Sequence, residues 1–276
     1  MIYINGKWTE VKSSSFSSIS PLDNKLIWDG NYASNSQVLN AINSAHAAFP
    51  DWNKRGLDSR LKIIQRFYTL LEINKEKIKD LIKLETGKEV GDSLSEVGAS
   101  IAKYKNSLNA FHERTGKSSS PLGKNTQITN HRPHGVLSVI GPFNFPFHLP
   151  NGHITPALIA GNVIIFKPSE HTPLVGELMV QLWHEAGIPN GVINLLHGSK
   201  GVVRSLAKHP KTNGLLFTGS HLAGMSLSKL MANYPNKILA LELAEEKAKA
   251  NEYLKLLEEE LKAEHELAMK IIVQDK

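Results

Sequence analysis

No residue of this chain is a cysteine. That excludes disulfides, thiolate metal sites and thiol nucleophiles within it. No apolar run approaches the roughly 18 residues needed to span a bilayer. The opening Met1-Ile2-Tyr3-Ile4-Asn5-Gly6-Lys7-Trp8 lacks the basic-then-apolar layout of a secretory signal, so a cytoplasmic location is expected. Nor is there a Lys/Arg block to go with the net charge of +6. A diffuse positive excess favours anionic small molecules over nucleic acid, and no nucleic-acid or membrane partner is expected. An apolar share of 41% over 276 residues is enough for a large globular core.

Short strands and turns are expected up to about Leu26, broken by Ser13-Ser14-Ser15 and by Pro21-Leu22-Asp23-Asn24. Ser36 reads as the cap of a helix from Gln37 to Phe49, with Val38, Ile42, Ala45 and Phe49 on one face. A second helix starts at Asp58 or Ser59. A third carries Ile78, Leu81, Ile82 and Glu85 and ends at Thr86-Gly87-Lys88, and a longer one runs from about Ser93 to His112. Ser118 to Gly123 reads as a linker, followed by a strand-like alternation from Thr126 to Arg132.

Beyond that, short apolar runs alternate with helical stretches. The runs are Val136 to Ile140, Val163 to Phe166, Val192 to Leu196, Gly214 to Phe217 and Ile238 to Leu243. Pro156 to Ala160, Leu174 to Ala186, Lys200 to Ala207 and Leu222 to Ala232 lie between them. Buried strands alternating with helices predict an α/β fold with a doubly wound parallel sheet, covered by an N-terminal helical layer. From Ala244 to Lys276 there is no Gly or Pro, and Leu254, Leu257, Leu261, Ala268 and Ile272 share a face. That segment reads as one amphipathic helix.

Short motifs follow the expected strands. They are Gly141-Pro142-Phe143-Asn144-Phe145-Pro146, Lys167-Pro168-Ser169-Glu170, Phe217-Thr218-Gly219-Ser220 and Leu239-Ala240-Leu241-Glu242-Leu243. In open α/β sheets such strand ends carry the ligand. Gly219 allows close backbone approach, Ser220 with the following amides can face a pyrophosphate, and Gly224 allows tight helix packing. Alone, each motif has a plainer reading. Thr-Gly-Ser is a helix cap, Lys167 and Glu170 a surface ion pair, Asn144 a turn former, Glu242 a solvent-facing carboxylate, and Gly198 and Gly201 are turn residues. His148 and His153 lie five apart around Pro150-Asn151-Gly152, unlike the i, i+4 pair of zinc proteases, and no metal site is expected.

In order and spacing these motifs, with Glu85-Thr86-Gly87-Lys88, resemble the aldehyde dehydrogenase superfamily. The His148-Leu149-Pro150-Asn151-Gly152-His153 run is similar to that of its succinylglutamate semialdehyde dehydrogenases. The resemblance implies an NAD-binding half over residues 1–243, with an oligomerisation hairpin at about 124–135, and nothing in the family resembles the tail over 244–276. It implies cofactor contacts at Ile140, Gly141, Pro142 and Phe143, and at Lys167, Pro168, Ser169 and Glu170. Further contacts are implied at Gly198, Gly201, Phe217, Thr218, Gly219, Ser220, Gly224 and Leu243. Lys167 and Glu170 are implied on the adenosine ribose, where a carboxylate favours NAD over NADP. Asn144 is implied as the oxyanion-hole amide and Glu242 as the general base.

The family's nucleophile is a cysteine, and its glutamate motif continues into a Gly-Gly turn; here Leu243 leads into Ala244-Glu245-Glu246-Lys247. The expectation is therefore a truncated, NAD-binding relative that does not oxidise aldehydes alone. Its substrate memory would be an acidic semialdehyde, with His131, Arg132 and His134 supplying nearby positive charge. Two alternatives are an interaction protein using the C-terminal helical face, through a partner or a second copy, and a half-enzyme completed in trans.

Overall fold

The computed structural model describes residues 1–10 and 13–244. The helix expected over 244–276 lies outside the described residues beyond Ala244.

Strands β1 (Ile2–Ile4) and β2 (Lys7–Thr9) open the chain, followed by a hairpin of β3 (Ser15–Ile19) and β4 (Leu26–Asn31). The strand-rich opening thus extends beyond the expected limit near Leu26. Helix α1 (Asn35–Lys54) is capped by Ser34 rather than Ser36. Ser34 Oγ accepts from the Gln37 amide at 3.3 Å, and Gln37 Oε1 accepts from the Ser34 amide at 2.9 Å. This reciprocal capping box satisfies two amides at once, which a cap at Ser36 would not. Helices α2 (Leu57–Ile73), α3 (Lys75–Thr86) and α4 (Val90–Arg114) complete the N-terminal layer. Gly87 ends α3 at φ +72°, the left-handed region where a side chain is disfavoured.

The stretch expected as a linker is strand β5 (Lys117–Leu122), paired antiparallel with β6 (Asn125–Asn130). The hairpin therefore spans 117–130 and not 124–135. Gly123 at φ +61° makes its tight turn. Every β6 residue is exposed, so no apolar face marked the pairing in the sequence.

The five apolar runs form β7 (Val136–Ile140), β8 (Val163–Lys167), β9 (Ile193–Leu195), β10 (Gly214–Ser220) and β11 (Ile238–Ala244). All five are parallel, in the spatial order β11-β10-β7-β8-β9, with β1 and β2 added antiparallel beyond β9. Counted along the chain, the parallel strands lie third, second, first, fourth, fifth. This is the doubly wound order, whose direction reverses between β7 and β10.

Helices α5 (His148–Ile159), α6 (Pro173–Glu185), α7 (Lys200–Lys208) and α8 (His221–Met231) connect the strands. Helix α5 begins eight residues before the expected Pro156, so it takes in the whole His148 to His153 run. A buried network overrides Pro150 and Gly152. Asn151 Nδ2 donates to Tyr68 Oη at 3.0 Å and to the Ser100 carbonyl at 3.1 Å, and its Oδ1 accepts from Thr155 Oγ1 at 3.0 Å. Burial pushes the Tyr68 hydroxyl up to about 12, so it stays a neutral donor and acceptor in this network. At its far end α5 is closed by the buried Arg60, whose Nε and Nη2 donate to the Ile159 carbonyl. Phe67 of α2 stacks on Trp183 of α6 with ring centroids 3.7 Å apart, tying the N-terminal layer to the sheet layer.

Candidate active site at the carboxyl edge of the sheet

Strands β7 and β10 part at the switch point. Their ladder ends with Phe217 opposite Ile140, while β10 continues beside β11, pairing Thr218 with Glu242 and Gly219 with Leu243. The chain after β7 instead turns through Gly141 to Pro146 into α5. Gly141 donates to the Lys167 carbonyl at 3.0 Å, and a Cβ on it would press within 2.8 Å of Pro150. The loop has room to hug α5 only because residue 141 is glycine.

Beside this gap lies a cavity of about 750 Å³ whose lining includes Asn144, Phe145, His148, Thr218, Glu242 and Leu243. Asn144 uses its Oδ1 to accept from the Phe145 amide at 3.1 Å. Its Nδ2 therefore remains available as a donor toward the cavity. Glu242 is half-exposed at the end of β11. Thr218, buried on the neighbouring strand, lies between it and His153. Thr218 Oγ1 donates to Glu242 Oε2 at 3.3 Å, and His153 Nε2 lies 3.1 Å from the same hydroxyl and 3.8 Å from the carboxylate. Burial holds the His153 imidazole below its ordinary range, partly opposed by the Glu242 charge. Burial does the same to His148, with Lys103 adding to it.

The other sequence-predicted residues are spread along the same edge rather than gathered in the cavity. Lys167, only 5% exposed, ends β8 and donates to Glu170 Oε2 at 2.9 Å. Burial alone would raise the Glu170 carboxyl, but the Lys167 charge and hydrogen bond outweigh it and hold the group below the usual carboxylate range. Pro168 sits against Gly176 of α6, and Ser169 Oγ accepts from the His171 amide at 3.2 Å. Gly198 and Gly201 flank Ser199, the cap of α7. Ser220 is exposed and caps α8, its Oγ accepting from the Ala223 amide at 3.4 Å. A Cβ at Gly224 would run into the Leu243 side chain, so the glycine lets α8 lie against β11. Ile140, Pro142 and Phe217 are buried, while Phe143 is 59% exposed and meets His171 edge-on.

Three residues of the N-terminal layer belong to this edge without having been singled out as site residues. Glu85, almost fully buried, accepts from the Leu174 and Val175 amides, both at 2.8 Å, at the start of α6. Glu96 of α4 accepts from the Phe147 amide at 2.9 Å and the His148 amide at 3.2 Å, at the start of α5. Lys88 holds the second Glu96 oxygen at 2.6 Å, with its ammonium 3.6 Å over the Phe145 ring. The Glu85-Thr86-Gly87-Lys88 motif was the available signal. Its partners lie far along the chain, so spacing alone could not assign a role.

The sequence pattern of the aldehyde dehydrogenase family matches residues 8–248. The N-succinylglutamate 5-semialdehyde dehydrogenase of Acinetobacter baylyi is 46% identical over 242 residues, which are 88% of this chain and 50% of that protein. The chain thus spans about half the length of the curated relatives it matches. Among solved structures, an NAD-dependent benzaldehyde dehydrogenase from Corynebacterium glutamicum superposes with a TM-score of 0.82 at 30% identity, covering 88% of this chain and 54% of that one. An NADP-dependent glyceraldehyde-3-phosphate dehydrogenase from Bacillus halodurans gives 0.80 at 27% identity, covering 88% and 52%. With its doubly wound sheet, its strand-end motifs and a family match over most of its length, the chain belongs to the aldehyde dehydrogenase family.

Proposed function

We propose that this chain is a dinucleotide-binding part of a semialdehyde dehydrogenase, binding NAD along the carboxyl edge of its sheet. The observation that carries the reading is the convergence of Asn144, Thr218 and Glu242 on one cavity at the switch point, beside the serine-capped start of α8. The donor set suits a dinucleotide. Lys167 and Glu170 at the end of β8 would hold ribose hydroxyls, and Ser220 with the first amides of α8 would hold phosphate. Ile140 to Phe143, Phe217 to Gly219 and Leu243 would form the walls between them. Gly141 and Gly219 near the strand ends, and Gly224 inside α8, sit where a Cβ would meet a protein side chain within 3 Å, so they let the loop, β10 and α8 pack tightly around this edge. Gly198 and Gly201 would border the adenine side. Bound there, NAD supplies the hydride acceptor.

The chain's own residues would prepare the reacting carbonyl. Asn144 would donate its free amide to the oxygen that becomes negative, and Glu242 would take a proton as general base. Thr218, donating to Glu242, keeps that carboxylate turned toward the cavity. No cysteine occurs among the 276 residues, so a thiolate would have to come from outside them; this chain alone would then bind cofactor without oxidising aldehydes. A carboxylate at Glu170 disfavours a 2′-phosphate and hence NADP. The N-succinylglutamate 5-semialdehyde relatives suggest an acidic semialdehyde as substrate, and His148 on the cavity wall would be its nearest partly buried imidazole. Oligomerisation through the exposed β5–β6 hairpin belongs to the same reading. No helix among the described residues is long and apolar enough to cross a membrane.

Calorimetric titration with NAD and NADP tests the reading. Saturable NAD binding is expected, weaker for NADP and weakened by about tenfold or more in Lys167→Ala and Ser220→Ala. A folded sample that binds neither nucleotide would overturn it.

A further inference from the structure

Among the described residues, four helices start at the carboxyl edge of the sheet. Each start offers unpaired amides and the positive end of a helix dipole, the combination that holds phosphate in doubly wound folds. The usual place for that phosphate is the helix after the first strand of the unit, which here is α5. That place is filled from within. Glu96 reaches it from α4 with a side chain 0% exposed to solvent, takes the Phe147 and His148 amides on one oxygen, and is locked by Lys88 on the other. Glu85 fills the start of α6 with one oxygen on each of the Leu174 and Val175 amides. Helices α7 and α8 have only their own neutral caps, Ser199 and Ser220.

We propose that Glu96 is a specificity-determining residue, a resident anion that occupies the start of α5 and confines the dinucleotide's phosphates to the β10–α8 corner. The inference rests on the dinucleotide reading above. Two anions cannot share one pair of amides, and a phosphate arriving at α5 would meet a carboxylate at hydrogen-bond range. A serine just ahead of the helix, as at α7 and α8, would satisfy an amide without repelling the ligand. With the α5 start reserved, the Gly141 to Asn144 loop is left to face the reacting end of the cofactor and not its phosphates. Lys88, paired with Glu96 and lying over Phe145, keeps that loop closed while its own charge is consumed internally. Glu96 and Lys88 both border the 750 Å³ cavity. Removing the carboxylate therefore connects the freed amides and a freed ammonium directly to accessible space.

The test is a titration with inorganic pyrophosphate, read by backbone amide NMR shifts and calorimetry on the whole chain. In the unmodified protein, shifts are expected at Ser220 to Ala223 and none at Phe147 or His148. Glu96→Ala should gain a second saturable site that shifts Phe147 and His148, at least about tenfold tighter there than in the unmodified chain. Adding Lys88→Met should abolish it. Glu96→Gln should gain nothing, because its carbonyl oxygen still takes both amides. If the alanine variant does not fold, Glu96→Ser, whose hydroxyl is too short to reach the α5 amides from α4, is held to the same expectation. Shifts at Phe147 and His148 in the unmodified chain overturn the proposal without any variant. A folded alanine or serine variant with no new site does so too. Failure of the dinucleotide reading would show separately, as no shift at Ser220 to Ala223 and no NAD binding.

Discussion

On one face of the sheet, helices α5 and α6 start against buried glutamates supplied by the N-terminal layer. On the other, α7 and α8 start against the serines that precede them in the chain. The local unit is the same on both sides, a parallel strand leading by a tight turn into a helix. The difference lies in what completes it. The first pair is finished by long-range contacts and is buried under α2, α3 and α4. The second is finished locally, so its amides lie near the surface. Stability and ligand access are thereby assigned to different faces of one sheet.

If that division holds, damage on the two sides should have different signatures. The largest effect is expected for Asn151→Leu on the filled side. It removes one hydrogen-bond partner each from the Tyr68 hydroxyl, the Thr155 hydroxyl and the Ser100 carbonyl in the interior, at a combined cost of about 3 kcal/mol. Urea unfolding should register that loss while NAD affinity of the remaining folded protein is unchanged; a parallel loss of affinity would break the comparison. Gly224→Val on the open side should cost less, about 2 kcal/mol, by forcing α8 away from Leu243. Here NAD affinity should fall together with the melting temperature.

The smallest effect sharpens the electrostatic side of the argument. Burial pushes the Glu85 carboxyl up to about 8, against the two amide donors that favour its ionised form. A folded-state value above the unfolded one means the folded chain holds the extra proton. The contribution is then full below about pH 4.5 and is lost as pH rises through about 8. The slope is bounded by about 1.4 kcal/mol per pH unit. Unfolding free energies measured from pH 5 to 8.5 should decline in the parent, and Glu85→Gln should flatten that component. A variant as pH-dependent as the parent would place the proton elsewhere.

Much of the sheet was legible because buried parallel strands are apolar on both faces and short. Val136 to Ile140 matches β7 residue for residue, and the other four runs differ by a few residues at most. Elements whose stability comes from partners were harder to read. Pro150 and Gly152 argue locally against helix, and only contacts to Tyr68 and Ser100 reverse that argument. Ser34 and Ser36 both look like caps; the choice falls to the one with a glutamine three residues on. At the site, Asn144 and Glu242 could be picked from their motifs, but not the Thr218 and His153 contacts that orient Glu242. Glu96 lies 51 residues from the first amide it holds, a distance no local pattern bridges.

Among the described residues, β11 is paired on one side only, with β10. Its other edge is a row of backbone donors and acceptors that can be extended by any strand of suitable length. Glu242 rides on that same strand. An added strand would be bonded to the peptide groups on either side of the carboxylate, and would stiffen or shift it by fractions of an ångström. Recruitment of a neighbour and tuning of a proton acceptor would then be a single mechanical event.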